Sequence, residues 1–217
     1  MIKVITIERE YGCGGGEIAC KLADRLGWNV WDQSLTTEIA RLSNCDQSEV
    51  QCREERVDPL YYRLFKSILR GSFEGSQNVH RLKLLDADSI LRITKQVVQE
   101  AASAGSCVIV GRGSQHFLRD RADTLRVFLY APRDAKVRRL RAAGTCAKDA
   151  EEFVDTVDSE RAAFVAKYFQ IQWPDRAVYH AMLNTAAGDE IVIQTILRLK
   201  ESMELQLESS APAPALS

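Results

Sequence analysis

The chain has 217 residues, 46% of them hydrophobic and 27% charged, enough apolar material for a sizeable core and incompatible with disorder throughout. Lys and Arg number 29 against 30 acidic residues, a formal net charge of -1, so no uniform basic field draws in nucleic acid or an anionic membrane, and any anion site is local. No apolar stretch reaches the roughly 18 residues of a membrane span, the opening residues lack a signal-peptide core, and the six cysteines show no C-x-x-C spacing for a zinc knot or disulfide framework; the expected compartment is the cytoplasm.

In chain order, the β-branched run Ile2 to Ile7 predicts a buried strand. A glycine cluster follows, Gly12-Cys13-Gly14-Gly15-Gly16, which concentrates four of the chain's 12 glycines in five residues. Ile18, Leu22 and Leu26, widened by Ala19 and Ala23, then recur at helical spacing up to the stop signal Gly27, and Trp28 to Trp31 reads as a second strand. Strand, glycine loop, helix and strand make a βαβ unit. A middle block from about Gln33 to Gly105 carries only helical periods: Leu35, Ile39 and Leu42 in one helix, Leu60, Leu64 and Ile68 in another, a polar loop from Gly71 to Asn78, and a long helix from near Asp88 to Ala104. Val108 to Val110 predicts a strand ending at Gly111-Arg112-Gly113, and Leu125 to Ala131 another, closed by Pro132. Helices are expected over Arg133 to Ala143 and Ala147 to Tyr168, a last strand around His180 to Asn184, a final helix over Glu190 to Leu205, and a disordered Ala/Pro/Ser-rich tail.

Five strands, most followed by helices, predict one α/β domain with a mainly parallel sheet, and ligands of such sheets bind at the carboxyl ends of the strands. That selects the glycine run after the first strand, Asp32 after the second and Arg112 after the third. A glycine-rich turn leading into a helix lets backbone N–H groups converge on a phosphate that the helix dipole also favours; a tight turn with no ligand is the alternative. The P-loop pattern G-x-x-x-x-G-K-[ST] is only partly met, because Gly14-Gly15-Gly16-Glu17 stands where glycine, the phosphate-binding lysine and the magnesium-binding hydroxyl belong. Glu17 reads as a first-turn acid matched to the helix dipole, and the dinucleotide fingerprint G-x-G-x-x-G fits less well still. Arg112 is either a bidentate phosphate clamp or an exposed turn arginine. Arg133, Lys136, Arg138, Arg139 and Arg141 read mostly as a solvated helix face, and Asp158 and Arg161 as neighbours on another, with a surface ion pair the plain alternative. Cys13 reads as a space-filling residue, and His80, His116 and His180 have no metal-ligand spacing.

These residues resemble the cytidylate kinase-like family of P-loop nucleoside monophosphate kinases. The resemblance runs from Ile5 through the glycine loop to Ala19, and on through Trp31-Asp32, Cys107 to Gly113 and Val127 to Pro132. It ends in Asp158 to Ala163, Tyr168-Phe169, Trp173 and Asn184-Thr185, with order and spacing kept over about residues 1–205. It implies a three-layer α/β/α P-loop fold with a five-stranded parallel sheet, a helical monophosphate-binding insertion at about 33–105, an arginine-bearing lid at about 141–160, and a tail at 206–217 outside the domain. It also implies transfer of the ATP γ-phosphoryl group, with Mg2+, to CMP or a related acceptor. By resemblance Gly12, Cys13, Gly14, Gly15, Gly16 and Glu17 hold the donor phosphates and Asp32 borders the acceptor. Arg112 meets the acceptor phosphate, Asp158 faces the cytosine or ribose, Arg161 sits between the phosphoryl groups, and Lys136 or Arg139 is a lid cation. The departures are Gly15 and Gly16-Glu17 for the loop lysine and hydroxyl, Val110 and Gly113 for acidic residues beside the Gly-Arg pair, Gly16 for an arginine common in the kinase-like branch, and Val154 for an arginine one turn before Asp158. They leave a second reading open, a nucleotide- or anion-sensing module with a degenerate P-loop and impaired catalysis, and apart from Arg9 they leave the loop without a cation of its own.

Overall fold

Five strands form one sheet: β1 (Val4–Arg9), β2 (Asn29–Trp31), β3 (Cys107–Val110), β4 (Thr124–Tyr130) and β5 (Ala181–Asn184), in the order β2-β3-β1-β4-β5. The computed structural model describes residues 1–32 and 87–209. The helices expected around Leu35 to Leu42 and Leu60 to Ile68, the loop from Gly71 to Asn78 and the last residues of the tail lie outside the described residues. β1 pairs in parallel with β3 and β4, and β4 with β5. Val4, Ile5, Thr6 and Ile7 of β1 and all of β3 are fully buried, which is why both read as unbroken apolar runs. The α/β architecture with a parallel five-stranded sheet is the one expected.

β1 runs two residues past its predicted end. Glu8 and Arg9 are poor strand formers, but β4 offers them Phe128 and Leu129 as partners, and the ladder continues. That extension carries Arg9 to the carboxyl edge of the sheet. There Gly111 donates its N–H to Ile7 O at 2.9 Å and Glu10 donates to Leu129 O at 2.9 Å, so the turns after β1, β3 and β4 come out side by side.

Helix α1 (Gly15–Leu26) buries Ile18, Ala19, Leu22 and Ala23 in the main core, against Ile5, Ile7, Val108, Val110, Val127 and Leu129. The remaining described helices are α2 (Ala87–Ala104), the one-turn α3 (Ser114–Phe117), α4 (Arg133–Ala142), α5 (Ala147–Phe169) and α6 (Asp189–Ser209). α6 joins the core through Val192, Ile193 and Ile196. It extends to Ser209, past the expected end at Leu205, because Met203 and Leu207 still pack on that core, so residues 206–209 are helical and not tail. α4 and α5 meet in a smaller cluster of Val137, Ala150 and Val154 with Tyr11 and Leu140. α3 escaped the sequence reading because four residues carry no helical period.

The chain divides into two compact units, Met1–Val30 with Gly105–Ser217, and Trp31–Ala104. The first holds all of the sheet except Trp31. In its described part the second consists mainly of α2. No helix among the described residues is long and apolar enough to cross a membrane.

Candidate functional site

The turn from β1 into α1 is shaped by two left-handed glycines, Gly12 at φ 75° and Gly14 at φ 82°, on either side of the buried Cys13. Gly14 is the N-cap of α1 and supplies no side-chain cap, so the first-turn N–H groups of α1 have no acceptor inside the helix, the arrangement that suits an anion. Cys13 Sγ donates to Leu129 O at 3.6 Å, and burial pushes the thiol up to about 11, so it fills space and is not a nucleophile. Glu17 is exposed and pairs with Lys21 at 2.8 Å, one helical turn away.

Two of the basic residues on α4 turn inward. Arg139 donates from Nη1 to Cys13 O and from Nη2 to Asp189 Oδ1 at 2.9 Å, and Asp189 Oδ2 accepts from Lys21 at 3.0 Å. A chain of charges, Glu17–Lys21–Asp189–Arg139, thus ends on the glycine loop. Thr185 Oγ1 donates to the same Cys13 carbonyl at 2.7 Å. Beside this contact lies a cleft of about 290 Å³, lined by Gly12, Ala131, Ala135, Arg138, Arg139, Thr185, Ala186 and Gly188. Arg133 and Arg141 do lie on a solvated face, in exposed pairs with Asp155 and Glu151.

Lys136, the other inward residue, is buried and sits 3.0 Å from Glu10 Oε2 and 3.2 Å from Asp158 Oδ2. Burial works against its charge, but Glu10 and Asp158 outweigh that and its pKa is raised. Asp158 is the hub: Oδ1 accepts from Tyr11 N at 2.8 Å and from Arg161 Nη1 at 3.1 Å. Arg161 Nη1 also donates to Arg9 O at 2.8 Å. The Asp158–Arg161 pair is therefore not a surface pair. It ties α5 to the backbone just before the glycine loop, and the Asp158 carboxylate is engaged by Lys136, Tyr11 and Arg161. Burial, then the like charge of Arg9, hold the Arg161 guanidinium below its ordinary value.

Arg112 sits between Gly111 and Gly113, and all three residues are left-handed, with φ 62° at Arg112 itself. That conformation costs a non-glycine residue about 1–2 kcal/mol, a strain of the kind that gathers at functional turns. Next to this turn Glu8 is buried, with Oε1 accepting from Arg9 N at 3.0 Å and Oε2 from Gln115 Nε2 at 2.9 Å. The glycine loop, Arg112, Arg139, Asp158 and Arg161 all belong to the first unit, whereas Asp32, just past β2, belongs to the second. Glu10, Asp189 and Lys21 went unnoticed in the sequence: Lys136 lies 126 residues from Glu10, and Arg139 and Lys21 lie 50 and 168 residues from Asp189, and no local spacing signals such pairs.

His116 stacks on Phe169 at 4.3 Å, and its buried Nε2 has no hydrogen-bond partner among the described residues. Burial, opposed by Asp175 and aided by Arg119, lowers its pKa to about 4. The unfolded chain takes up this proton near pH 6.5 and the folded one only near 4, so stability falls as pH drops between those values, by up to about 3 kcal/mol. Urea unfolding at about pH 7 and pH 4.5 should show this loss, with a flatter dependence in His116→Phe; equal slopes would refute the assignment.

Across residues 4–187 the sequence matches the profile described as the cytidylate kinase-like family. The chain belongs to that family. A search of curated proteins finds no match. Among solved structures, an uncharacterized protein from Eubacterium ventriosum superposes with a TM-score of 0.65 at 19% identity, covering 93% of this chain and 99% of that one. A gluconokinase from Sinorhizobium meliloti gives 0.54 at 13% identity, covering 94% and 97%. A shikimate kinase from Acinetobacter baumannii in complex with shikimate gives 0.52 at 16% identity, covering 93% and 94%. At these identities the likeness is one of fold. At the glycine turn the missing Cβ atoms of Gly14 and Gly12 make room for the Arg139 guanidinium and for Leu140, which close on the loop from α4.

Proposed function

We propose that the protein is a cytoplasmic phosphotransferase that moves the γ-phosphoryl group of ATP to a nucleoside monophosphate, CMP or a related acceptor. The observation that carries this reading is the glycine turn that follows β1, with Arg161 anchored to the last residue of that strand, 2.8 Å from Arg9 O. An acceptor phosphate oxygen attacks the γ-phosphorus as the bond to the β-phosphate oxygen breaks, and ADP leaves. Such a transfer needs positioning and positive charge more than covalent help. In this reading the N–H groups of Gly12 to Glu17 hold the donor phosphates and Arg161 lies between the phosphoryl groups. Arg112 meets the acceptor, and the cleft beside Thr185 and Arg139 takes the base of the donor, being near the lower end of ligand-pocket size. Asp158 then serves as the anchor of Arg161 and Lys136, not as a contact to cytosine.

The residues present fit ATP better than they fit its metal. The left-handed glycines form a backbone cradle, but the loop has no hydroxyl for magnesium, Glu17 is paired with Lys21, and no cluster of metal-ligating side chains occurs among the described residues.

A coupled assay with ATP and the common nucleoside monophosphates tests the proposal, with shikimate and gluconate included as the acceptors of the structural neighbours. Turnover with a monophosphate is expected, falling by about 10²–10³ in Arg161→Ala. Activity absent for every monophosphate, or indifferent to Arg161, refutes it. A second reading, a nucleotide-sensing module with impaired chemistry, is favoured by the Arg139 guanidinium resting on the glycine loop. Calorimetric nucleotide binding without turnover would select it.

A further inference from the structure

We propose that Arg9 takes over the task of the missing loop lysine, delivering from the strand end the cation that meets the terminal phosphates of the nucleotide. The inference rests on the nucleotide reading above and deepens it. In the pattern G-x-x-x-x-G-K-[ST], Gly14 as the second glycine puts Arg9 at the first glycine position and Gly15 at the lysine position. The two departures are therefore reciprocal: the side chain lost at one end of the loop is gained at the other.

The packing shows why they occur together. A Cβ on Gly15 would stand 2.9 Å from Arg9 Cβ and 3.0 Å from Arg9 Cγ, closer than real Cβ contacts come. The arginine stem occupies the space that the root of a lysine at position 15 would need, so a large residue at 9 requires glycine at 15. At its far end the Arg9 guanidinium lies where a Cβ on Gly111 would be, and Gly111 at φ 68° has none. The side chain thus runs from the start of α1 to the turn after β3, across the floor on which the glycine loop opens. Its charge is felt by Cys13 inside the loop and by Arg161, whose ionisation it opposes. Glu8 and Asp158 offset part of that repulsion. With Arg161 Nη1 held 2.8 Å from Arg9 O, two arginines meet at the backbone leading into the glycine loop, and a multiply charged oxyanion such as a polyphosphate matches them in sign.

The experiment is calorimetric titration of the full chain with ATP, ADP and adenosine. It compares the wild-type protein with Arg9→Met, which keeps the stem over Gly15 and removes the charge, with Gly15→Lys, and with the double variant Arg9→Gly/Gly15→Lys; melting without ligand verifies folding. ATP and ADP affinity should fall about 10- to 100-fold in Arg9→Met, with adenosine affinity changing less than about twofold. Gly15→Lys alone should bind ATP weakly, and the double variant should regain most of the loss. Wild-type ATP affinity in Arg9→Met, or an equal loss for ATP and adenosine, overturns the role of Arg9 while the nucleotide reading stands. A wild-type protein that binds neither ATP nor ADP overturns both.

Discussion

Asp158→Ala is expected to lower the unfolding free energy by about 3–5 kcal/mol, the usual consequence of removing one partner from a buried ion pair. The carboxylate accepts from Tyr11 N, Arg161 and Lys136, and the Lys136 side chain is only 10% exposed, so water cannot replace the lost partner. Glu10 stays beside Lys136 but reaches neither Arg161 nor the Tyr11 amide by the contacts seen. For a chain of this length the loss corresponds to a melting temperature lower by roughly 10 °C. Asp158→Asn, which keeps an acceptor for Tyr11 N, should lose less. The raised pKa of Lys136 sets the sign of the pH dependence. Its contribution is complete below the unfolded lysine value near 10.4 and is lost as pH climbs through the higher folded value, so Asp158→Ala should flatten the alkaline limb. A urea titration with a change below about 1 kcal/mol would show that this hub does not hold α5 to the loop.

The second large effect is expected at Gly14. Its φ of 82° costs alanine about 1–2 kcal/mol, and an added Cβ would fall on the Arg139 guanidinium. Displacing Arg139 breaks its bonds to Cys13 O and Asp189, so Gly14→Ala should destabilise by about 2–4 kcal/mol in total. A double-mutant cycle separates the parts: in an Arg139→Ala background the same change should cost only the backbone term. Equal costs in both backgrounds would mean that Arg139 does not lie over the loop in solution.

Much of this architecture can be read from local pattern. The fully buried strands announce themselves as Val/Ile runs, α1 as Ile18, Leu22 and Leu26 at helical spacing with Gly27 behind them, and the loop as a glycine cluster between the two. The place of Arg112 in the turn after β3 is legible too, because it needs only the strand boundary. The partners of the loop are another matter. Arg133, Lys136, Arg138, Arg139 and Arg141 look alike in sequence, and the short apolar pair Val137 and Leu140 of α4 does not say which of them find partners inside. The structure buries Lys136 against Glu10 and Asp158 and lays Arg139 on Cys13, while Arg133 and Arg141 stay with exposed carboxylates.

What the sequence by itself determined is the order of elements, the parallel α/β class and the place of the glycine turn, since each depends on propensities and periods within a dozen residues, and the family, which shows in a match spanning residues 4–187. Only the tertiary structure decided which charges serve that turn. Arg9 reaches it because β4 prolongs β1 by two residues, and Gly15 and Gly111 lack the Cβ atoms that would obstruct it. Arg139 reaches it because Asp189, fifty residues on, fixes its other nitrogen. Coulomb energy depends on distance and burial, and neither is encoded in the spacing of residues along the chain.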